Sequence, residues 1–439
     1  MLVGGCIRDY YLKIPCKDYD IEVYQIQSLS QLEICLEKYG RVVLAGKSFG
    51  VLKLSCENYE FDFALPRTEQ KVGLGHQGFE VTTNGNLDFK EAALRRDFTI
   101  NAMGYDFKSK KIIDPYSGLI DLENKILRHI NDTTFVEDPL RVYRAVQFCA
   151  RFDLTLDKKT IELCQFIVDK NELKELAKER IFEEIKKLLL RANKPSIGFS
   201  LLKELGILKH YPQLLSLVGC LQDIEYHPEG DVWVHTLMCL DEMAKLKTGN
   251  DYKDLYLMLA VLCHDLGKPL TSEIRKGRIT SYNHEKEGIT PTIDFLELLT
   301  NEKKLIDKIT PLVQHHLAPF QLYLHHSSLK AVKRLATKVN IEELCLVCLA
   351  DCKGRDIPDK DKCDKAVEWL LRNAQELNVH NEKLQPLVLG RDLIQLGYTP
   401  NPMFKTILDY AYDLQIENEN FDKEVILGCI KKEYPNEKI

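Results

Sequence analysis

The stretch of sequence that decides the fold is GGCIRDYYLKIPCKDYD at residues 4–20. Its two glycines, Gly4 and Gly5, stand at a predicted strand-to-helix turn, where glycine lets the backbone approach a ligand closely. The helix that follows presents free N–H groups to an anion at its N-terminus. Asp18 and Asp20 lie two residues apart on a predicted strand, so both side chains point to one face. Two carboxylates beside a phosphate-binding turn predict Mg²⁺ carrying a nucleoside triphosphate.

A third carboxylate extends this predicted site. Residues 59–65 alternate apolar with polar or small side chains, the period of a strand, and Asp62 lies among them. Asp62 would complete a site in which two metal ions lie ~3.5–4 Å apart. A glycine pair or an Asp-x-Asp run alone often occurs by chance, so the interpretation depends on their joint spacing.

The chain changes character after Asp138-Pro139. Before this point, strand-like runs such as 19–24 and 51–54 alternate with helical stretches, whereas helical periodicity dominates afterwards, as at 140–152 and 181–190. We therefore predict a small mixed-sheet α/β head followed by an all-helical body. The predicted domains are the head at 1–135, a helical neck at 136–215, a helical domain with a histidine-rich site at 216–355 and a helical tail at 356–439.

Bulk composition narrows the classes of function. The 439 residues carry a formal net charge of −6, so a protein that only coats nucleic acid is disfavoured and RNA would be met by local basic clusters. No apolar run reaches the ~18 residues that span a bilayer, and no signal peptide is recognisable. The 14 cysteines are scattered through apolar stretches. We predict a reduced, cytoplasmic protein with no membrane partner.

Five ordered motifs resemble the class II tRNA nucleotidyltransferase and poly(A) polymerase family. After the first stretch they are LPRTEQKVGLGHQGFE (65–80), ALRRDFTINAM (93–103), DPYSGLIDLENKILRHI (114–130) and EDPLRVYRAVQFCARF (137–152). The resemblance implies a nucleotidyltransferase head, with an RNA-binding neck, that transfers nucleotides from CTP and ATP to tRNA. It implies that Asp18 and Asp20 hold the catalytic Mg²⁺. The implied nucleotide-binding residues are Gly4, Gly5 and Arg8 for the triphosphate, and Arg95, Arg96, Asp97 and Asn101 for the nucleotide and its ribose.

Asp138 and Arg141 indicate how the bases would be chosen. They are three residues apart on a predicted helix and share a face. In the family they resemble the nucleotide template, with Glu137 as a support, and Arg144 joins the predicted nucleotide-binding set. Aspartate only accepts and arginine only donates hydrogen bonds, which matches the amino group and ring acceptor of both cytosine and adenine. Guanine and uracil present the reverse pattern, which would cost ~1–3 kcal/mol. The alternative is an ordinary helical ion pair worth tenths of a kcal/mol.

A second set of residues suits a divalent transition metal. The runs HPEGDVWVHT (227–236) and LCHDLGKP (262–269) resemble the HD phosphohydrolase superfamily, in the form fused to some bacterial tRNA nucleotidyltransferases. The implied metal ligands are His235, His264, Asp265, His284, His315 and Asp351. The resemblance implies hydrolysis of 2′,3′-cyclic phosphates or nucleotide phosphomonoesters, with Lys268 on the phosphate. The alternative is a degenerate HD domain that serves as a scaffold.

Several functions remain open. Compared with the family that the motifs resemble, the loop at 67–78 has its full length. This length favours complete CCA addition over an enzyme that adds only CC or only A. The acidic net charge and the HD residues disfavour a poly(A) polymerase. An alternative of another class is a non-catalytic tRNA-binding module, and in a further one the HD hydrolase is the main activity. The oligomeric state is left open.

Overall fold

The computed structural model describes residues 1–16, 18–26, 28–45, 50–56, 59–71, 73, 79–356, 361–382, 384–418 and 421–435. The chain forms two compact units, the first of Met1–Leu215 with Glu297–Asn301 and the second of Ser216–Leu296 with Glu302–Ile439. No helix within the described ranges is long and apolar enough to cross a membrane. A mixed-sheet head and an otherwise helical chain confirm the predicted fold class. The further division of each unit into two domains stays a prediction, and residues 72 and 74–78 of the run at 67–78 lie outside the described residues.

The first unit begins with a mixed sheet. The described strands of the head are β1 (Leu2–Val3), β2 (Asp18–Glu22), β3 (Arg41–Ala45), β4 (Val51–Cys56), β5 (Tyr59–Ala64), β6 (Arg67–Lys71), β7 (Phe79–Thr83), β8 (Gly104–Asp106) and β9 (Lys111–Ile113). Seven form one sheet in the order β3-β4-β5-β2-β1-β8-β9, and β6 pairs with β7. Only β2 and β5 are parallel within the sheet, and their register places Asp20 opposite Asp62.

Side-chain alternation decides which face of this sheet carries charge. On β4, Leu52 and Leu54 are buried with Leu32 and Leu36, whereas Lys53 points the other way. Leu32 and Leu36 belong to a short helix, so the apolar face of the sheet is covered by that helix. The opposite face is left for the charged side chains of β2, β4 and β5.

Helices complete the first unit. They are α1 (Gly5–Tyr11), α2 (Leu29–Leu36), α3 (Phe89–Ala93), α4 (Gly118–Glu123), α5 (Asp132–Glu137), α6 (Leu140–Phe152), α7 (Lys158–Asp169), α8 (Lys178–Arg191), α9 (Pro195–Glu204) and α10 (Pro212–Leu215). Two further strands, β10 (Ile126–Leu127) and β11 (Thr155–Leu156), form a short parallel pair. The predicted helix at 140–152 is confirmed as α6, and Pro139 caps its start, where a missing N–H costs little. Helix α6 packs against α8 and α9.

The second unit is helical apart from a hairpin of β12 (Glu273–Arg275) and β13 (Arg278–Thr280). Its helices are α11 (Val232–Lys245), α12 (Asp251–Cys263), α13 (Lys268–Thr271), α14 (His284–Glu287), α15 (Ile289–Leu299, which runs into the first unit's segment), α16 (Lys303–His315), α17 (Ala318–Leu324), α18 (Leu329–Ala336), α19 (Ile341–Lys353), α20 (Asp361–Glu376), α21 (Gly390–Gln395), α22 (Met403–Glu417) and α23 (Lys423–Glu433). Residues 254–263 of α12 are all buried, because α11, α16 and α19 pack around this helix.

The cysteines depart from the prediction of a fully reduced chain. Cys352 of α19 and Cys363 of α20 form a disulfide, with their Cα atoms 6.1 Å apart. The sequence could not reveal this pair, because only the packing of α19 on α20 brings the two positions within bonding distance. Cys345 and Cys348 lie on the buried face of α19.

Candidate active sites of the two units

A cavity of about 370 Å³ in the first unit brings together most of the residues predicted to bind nucleotide. This volume lies within the ordinary range of small-molecule sites. Five arginines and three carboxylates line the cavity, so its positive charge suits a polyphosphate. Its lining residues are Gly5, Arg8, Asp20, Arg95, Arg96, Asp97, Asn101, Asp138, Arg141, Arg144 and Phe148.

Gly4 sits where the turn before α1 needs a glycine. Its φ is +76°, a conformation that other residues rarely adopt. A Cβ there would lie 2.8 Å from Arg96 Nη1 and 3.7 Å from Asp20 Oδ2. The missing side chain therefore lets the backbone lie directly against two of the predicted site residues.

The three predicted catalytic carboxylates share one face of the sheet. Asp18 and Asp20 alternate along β2, and Asp62 lies opposite Asp20 on β5. Part of the Asp20 side chain remains exposed, yet loss of water raises the pKa of Asp20, and Asp62 and Asp18 raise it further against the effect of Arg96. These neighbouring carboxylates suit the binding of a divalent cation, because the cation would offset the repulsion between their negative charges.

Four of the predicted nucleotide-binding residues form one hydrogen-bonded chain. Arg8 donates to Asp9 Oδ1 at 2.6 and 2.8 Å and to Asn101 Oδ1 at 2.5 Å. Asn101 Nδ2 donates to Asp97 Oδ1 at 3.0 Å, and Arg144 Nε donates to Asp97 Oδ2 at 2.7 Å. The guanidinium of Arg8 is buried and held by these partners, so it lines the cavity as a fixed rather than a freely reaching group.

The sequence predicts Asp138 on a helix, but in the structure this residue lies between two helices. It follows α5 and precedes α6, with φ −116° and ψ 98°, because the residue before a proline is driven to an extended conformation. Its Oδ1 accepts from the backbone N–H of Leu140 at 3.2 Å, and Arg180 Nη2 lies 3.7 Å from its Oδ2. Within the part of the chain that the structure describes, no ion pair joins Asp138 to Arg141, which removes support from the helical ion-pair alternative.

Arg141 is fixed by backbone carbonyls. Its Nη1 donates to Thr134 O at 2.7 Å and its Nη2 to Arg95 O at 2.6 Å. This anchoring holds the guanidinium at the cavity wall beside Asp138. Glu137 is the last residue of α5, half-buried, and is not one of the residues that line the cavity.

Sequence reasoning missed Glu22, a buried carboxylate of β2. It lies two residues after Asp20 and so faces the same way. Both Arg95 and Arg96 donate to it, at 2.8 and 2.9 Å. The available signal was its position in the alternation that begins with Asp18.

The second unit gathers a buried set of imidazoles and carboxylates from α11, α14 and α19 and from the turns that follow α12 and α16. Five of the predicted ligands belong to it, together with His316. His235 Nε2 lies 3.1 Å from Asp351 Oδ1 and 3.7 Å from Asp265 Oδ2. Asp265 also lies 3.1 Å from His264 Nε2, without the geometry of a hydrogen bond, and 3.3 Å from His284 Nε2. Asp265 is therefore central to the set.

Three histidines of this set are oriented in the same way. The Nδ1 atoms of His264, His284 and His316 each lie 2.7 Å from the backbone carbonyl three residues earlier. A ring nitrogen facing a carbonyl must be the donor, so in the neutral imidazole Nε2 is the atom with the lone pair, and it faces the cluster. The Nε2 atoms of His284 and His316 are only 3.3 Å apart. Two acceptors facing each other, with His264 Nε2 lacking a hydrogen bond, fit a metal ion.

The structure places His316, rather than the predicted ligand His315, among these imidazoles. His316 lies with its ring 5.2 Å from the rings of both His264 and His284. Burial and these two histidines lower the pKa of His316 to about 3, so its imidazole is neutral, as a metal ligand must be. His315 instead lines a different cavity, beside Lys338. Helix α16 ends at His315, so adjacent residues point in different directions.

Two further residues of this site were missed. Glu229 Oε1 lies 2.9 Å from Nδ1 of both His227 and His235. Burial would raise the pKa of Glu229, but its two histidine partners hold it well below the ordinary value. A carboxylate on Nδ1 fixes the tautomer of His235 and leaves Nε2 for a metal. The signal was present in the run HPEG, where His227 and Glu229 stand two residues apart.

A cavity of about 270 Å³ opens onto this cluster. Asp265, His284, His316 and Asp351 line it together with two cations, Lys268 and Arg355. Lys268 lies 2.7 Å from Asp265 Oδ2, and Arg355 lies 3.0 Å from both oxygens of Asp351. Imidazoles and carboxylates that can hold a metal ion, next to two cations held in place by carboxylates, form a site that suits a phosphate group.

One thiol also lies close to the imidazoles. Cys239 Sγ is 3.4 Å from His235 Nε2. Burial and the nearby carboxylate of Asp351 raise the pKa of this thiol well above its ordinary value. Because the thiolate is the form that binds metal, we do not include Cys239 among the ligands.

Known families match successive parts of the chain. The poly A polymerase head domain matches residues 1–128, the probable RNA and SrmB-binding site of polymerase A matches 153–217, and the HD domain matches 232–355. Solved structures share the fold. The Bacillus stearothermophilus CCA-adding enzyme in complex with CTP has a TM-score of 0.67 at 21% identity, covering 98% of this chain and 92% of that one. The Thermotoga maritima CCA-adding enzyme complexed with tRNA_CCA has a TM-score of 0.57 at 21% identity, covering 98% and 90%.

Curated relatives are considerably more similar in sequence. The multifunctional CCA protein of Mannheimia succiniciproducens is 36% identical, covering 86% of this chain and 90% of its own length. The protein of the same name from Acinetobacter baumannii is 36% identical over 81% and 84%, and that of Pasteurella multocida is 33% identical over 90% and 91%. With the two sites described above, these matches show that the chain belongs to the CCA tRNA nucleotidyltransferases that carry an HD domain.

Proposed function

We propose that this chain builds the complete CCA end of tRNA from CTP and ATP, at a Mg²⁺ site on Asp18 and Asp20. The observation that carries this proposal is that one cavity is lined by Asp20, Asp138 and Arg141. The same cavity therefore serves the reacting phosphates and the base. A cavity of about 370 Å³ has room for one nucleotide.

The proposed reaction joins the tRNA 3′-hydroxyl to the α-phosphate of the bound nucleotide. The hydroxyl gives up its proton to solvent as its oxygen bonds to the α-phosphorus, the bond from that phosphorus to the bridging oxygen of the β-phosphate breaks, and pyrophosphate leaves with the electron pair. When bound, Mg²⁺ would neutralise part of the negative charge on the phosphate oxygens. Gly4 and Gly5 allow the triphosphate to approach the start of α1, and Arg95 and Arg96 bind its oxygens.

Asp138 and Arg141 choose the base in this proposal. The carboxylate of Asp138 accepts from the amino group of cytosine or adenine, and Arg141 donates to the neighbouring ring nitrogen. The support is that both side chains line the cavity and that Arg141 is held rigidly by two carbonyls. A rigid donor cannot turn away to accommodate the reversed pattern of guanine or uracil.

The test uses tRNA transcripts that end before CCA, after C and after CC. Each nucleotide is supplied alone and then with the others, and products are sized at nucleotide resolution. We expect growth to CCA and then arrest, no growth with Asp20→Asn, and normal growth with Glu123→Gln, a change at an exposed helix position. Arrest after CC, growth only on the CC-ended transcript, or a long A ladder would each refute complete CCA addition.

We also propose that the second unit hydrolyses nucleotide phosphoesters, such as 2′,3′-cyclic phosphates, with a divalent transition metal. Its support is that the Nε2 atoms of His264 and His284 lie 3.1 and 3.3 Å from Asp265, and that the Nε2 atom of His316 lies 3.3 Å from that of His284. The metal supplies a Lewis acid for the phosphoryl group. Lys268 and Arg355 bind the phosphate oxygens. The test is opening of a nucleoside 2′,3′-cyclic phosphate to the monophosphate, and separately phosphate release from a nucleoside 2′-phosphate, by metal-loaded protein and by Asp265→Asn. Equal rates would favour the scaffold role.

A further inference from the structure

Glu22 is a charged group buried beside the predicted metal site. Its side chain is 3% exposed and accepts three hydrogen bonds. Arg95 Nη2 donates to Oε1 at 2.8 Å, Arg96 Nη2 donates to the same oxygen at 2.9 Å, and Tyr24 donates its hydroxyl to Oε2 at 2.8 Å. The carboxylate of Glu22 therefore forms an ion pair with two guanidinium groups.

A single carboxylate oxygen thus fixes two guanidinium groups side by side. The two positively charged guanidinium groups repel each other when they share one oxygen atom, and the negative charge of the carboxylate between them offsets that repulsion. Arg96 is also confined from the other side, because its Nη1 lies where a Cβ on Gly4 would be only 2.8 Å away. The positions of both arginines are consequently set by β2 and the glycine turn, which also hold Asp20.

Arg95 and Arg96 stand at the junction of two cavities. They line the larger cavity, which contains Asp138 and Arg141, and a second one of about 200 Å³, which contains Asp62. Asp20 also lines both cavities. A phosphate that reacts at Asp20 must therefore pass within reach of the two arginines.

We propose that Glu22 is a positioning residue of nucleotidyl transfer. Glu22 lines the smaller cavity, but its oxygens are engaged by Arg95, Arg96 and Tyr24, so it acts by holding Arg95 and Arg96 against the phosphates at Asp20. This inference rests on the proposed nucleotide site of the first unit. It predicts that Glu22 controls the rate of transfer and leaves the choice of base, which depends on Asp138 and Arg141, unchanged.

Two substitutions separate positioning from a merely structural role. Glu22→Asp keeps the charge but shortens the side chain by one methylene, so it cannot hold both guanidinium groups where they are. A displacement of ~1 Å at a reacting centre can lower the rate about 100-fold, so we expect kcat to fall about 10- to 100-fold. The incorporation of ATP and CTP relative to that of GTP and UTP should stay within about twofold of the parent. The melting temperature should stay within a few degrees of the parent. Glu22→Gln keeps the shape and removes the charge, and the same loss of kcat is expected.

A double-mutant cycle shows through which residue Glu22 acts. If Glu22 works by placing Arg96, the variant that combines Glu22→Gln with Arg96→Gln should be about as slow as Arg96→Gln alone. Glu123→Gln serves as the matched control, because this glutamate is exposed on α4. Additive losses, or a kcat for Glu22→Asp within about twofold of the parent, would overturn the inference.

The proposed nucleotide site is tested separately with Asp20→Asn. If Asp20→Asn still adds nucleotides, the proposed nucleotide site is wrong, and the proposed role of Glu22 in that site fails with it. If Asp20→Asn is inactive while the Glu22 variants turn over normally, only the positioning role fails. Should Glu22→Gln not fold, Glu22→Asp alone decides the outcome, because it retains the buried charge.

Discussion

Lys53 and Asp62 lie opposite each other on β4 and β5, and the Lys53 ammonium donates to both carboxylate oxygens, at 2.8 and 3.0 Å. Asp62 in turn lies opposite Asp20 on β2. The ammonium therefore neutralises the carboxylate that would complete the proposed two-metal site. A metal ion that binds Asp62 has to displace Lys53 or share the carboxylate with it.

Lys53→Met should lower the Mg²⁺ concentration needed for half-maximal CCA addition. The pair is partly exposed, with 47% of the lysine side chain accessible, and exposed ion pairs are worth at most ~1 kcal/mol. We therefore expect a decrease of about two- to fivefold, measured by titrating Mg²⁺ at saturating tRNA and nucleotide. Lys111→Met, at an exposed position of β9, is the control. A higher Mg²⁺ requirement would mean that Lys53 helps to build the site.

Asp138→Ala should relax the choice of base without abolishing transfer. The variant loses the acceptor for the amino groups of cytosine and adenine, and each such contact discriminates by ~1–3 kcal/mol. GTP and UTP incorporation relative to CTP and ATP should rise about 5- to 100-fold, measured in single-nucleotide reactions. Arg180→Met removes only the 3.7 Å ion pair to Asp138 and should leave selection unchanged. Unaltered selection in Asp138→Ala would exclude this residue from base recognition.

Local patterns in the sequence predicted the elements that carry the head site. Alternation along β2 predicted that Asp18 and Asp20 share one face, since side chains of a strand alternate whatever surrounds it. Helical periodicity predicted α6 with its observed bounds. Both properties depend only on neighbours in the chain.

Properties that depend on distant partners could not be predicted in this way. Glu22 is buried because Arg95 and Arg96 reach it from 73 and 74 residues away, and an isolated glutamate on a strand gives no sign of this. The disulfide of Cys352 and Cys363 depends similarly on helix packing.

The ion pair of Asp97 with Arg144 should make the first unit sensitive to acid. Burial would raise the pKa of Asp97, but Arg144 and Asn101 lower it below the ordinary value. The pair therefore contributes its full stability above the unfolded pKa of ~4 and loses it as pH falls through the lower folded value. Asp97→Asn should lower the free energy of local opening of α6 by ~3 kcal/mol at pH 7. This difference should shrink below about pH 4.

Hydrogen exchange of the α6 amides measures that opening directly, since it reports local stability in a chain of several parts. Asp153→Asn is the control, because the ion pair of Asp153 with Lys125 is exposed and should contribute little. A difference between Asp97→Asn and the parent that grows towards acid would contradict the pKa direction.

His315 and His316 offer a test of the HD site with two adjacent residues. Successive side chains of a helix differ by ~100° in direction, and at the end of α16 only His316 turns its Nε2 towards His284. We expect His316→Ala to lower metal affinity at least ~100-fold, because even residues that only orient ligands cost 10–100-fold. His315→Ala should bind metal like the parent. Metal content after dialysis against a graded chelator series and hydrolysis of a nucleoside 2′,3′-cyclic phosphate measure both variants. Loss of metal in His315→Ala, with metal retained in His316→Ala, would return the site to the ligand chosen from the sequence.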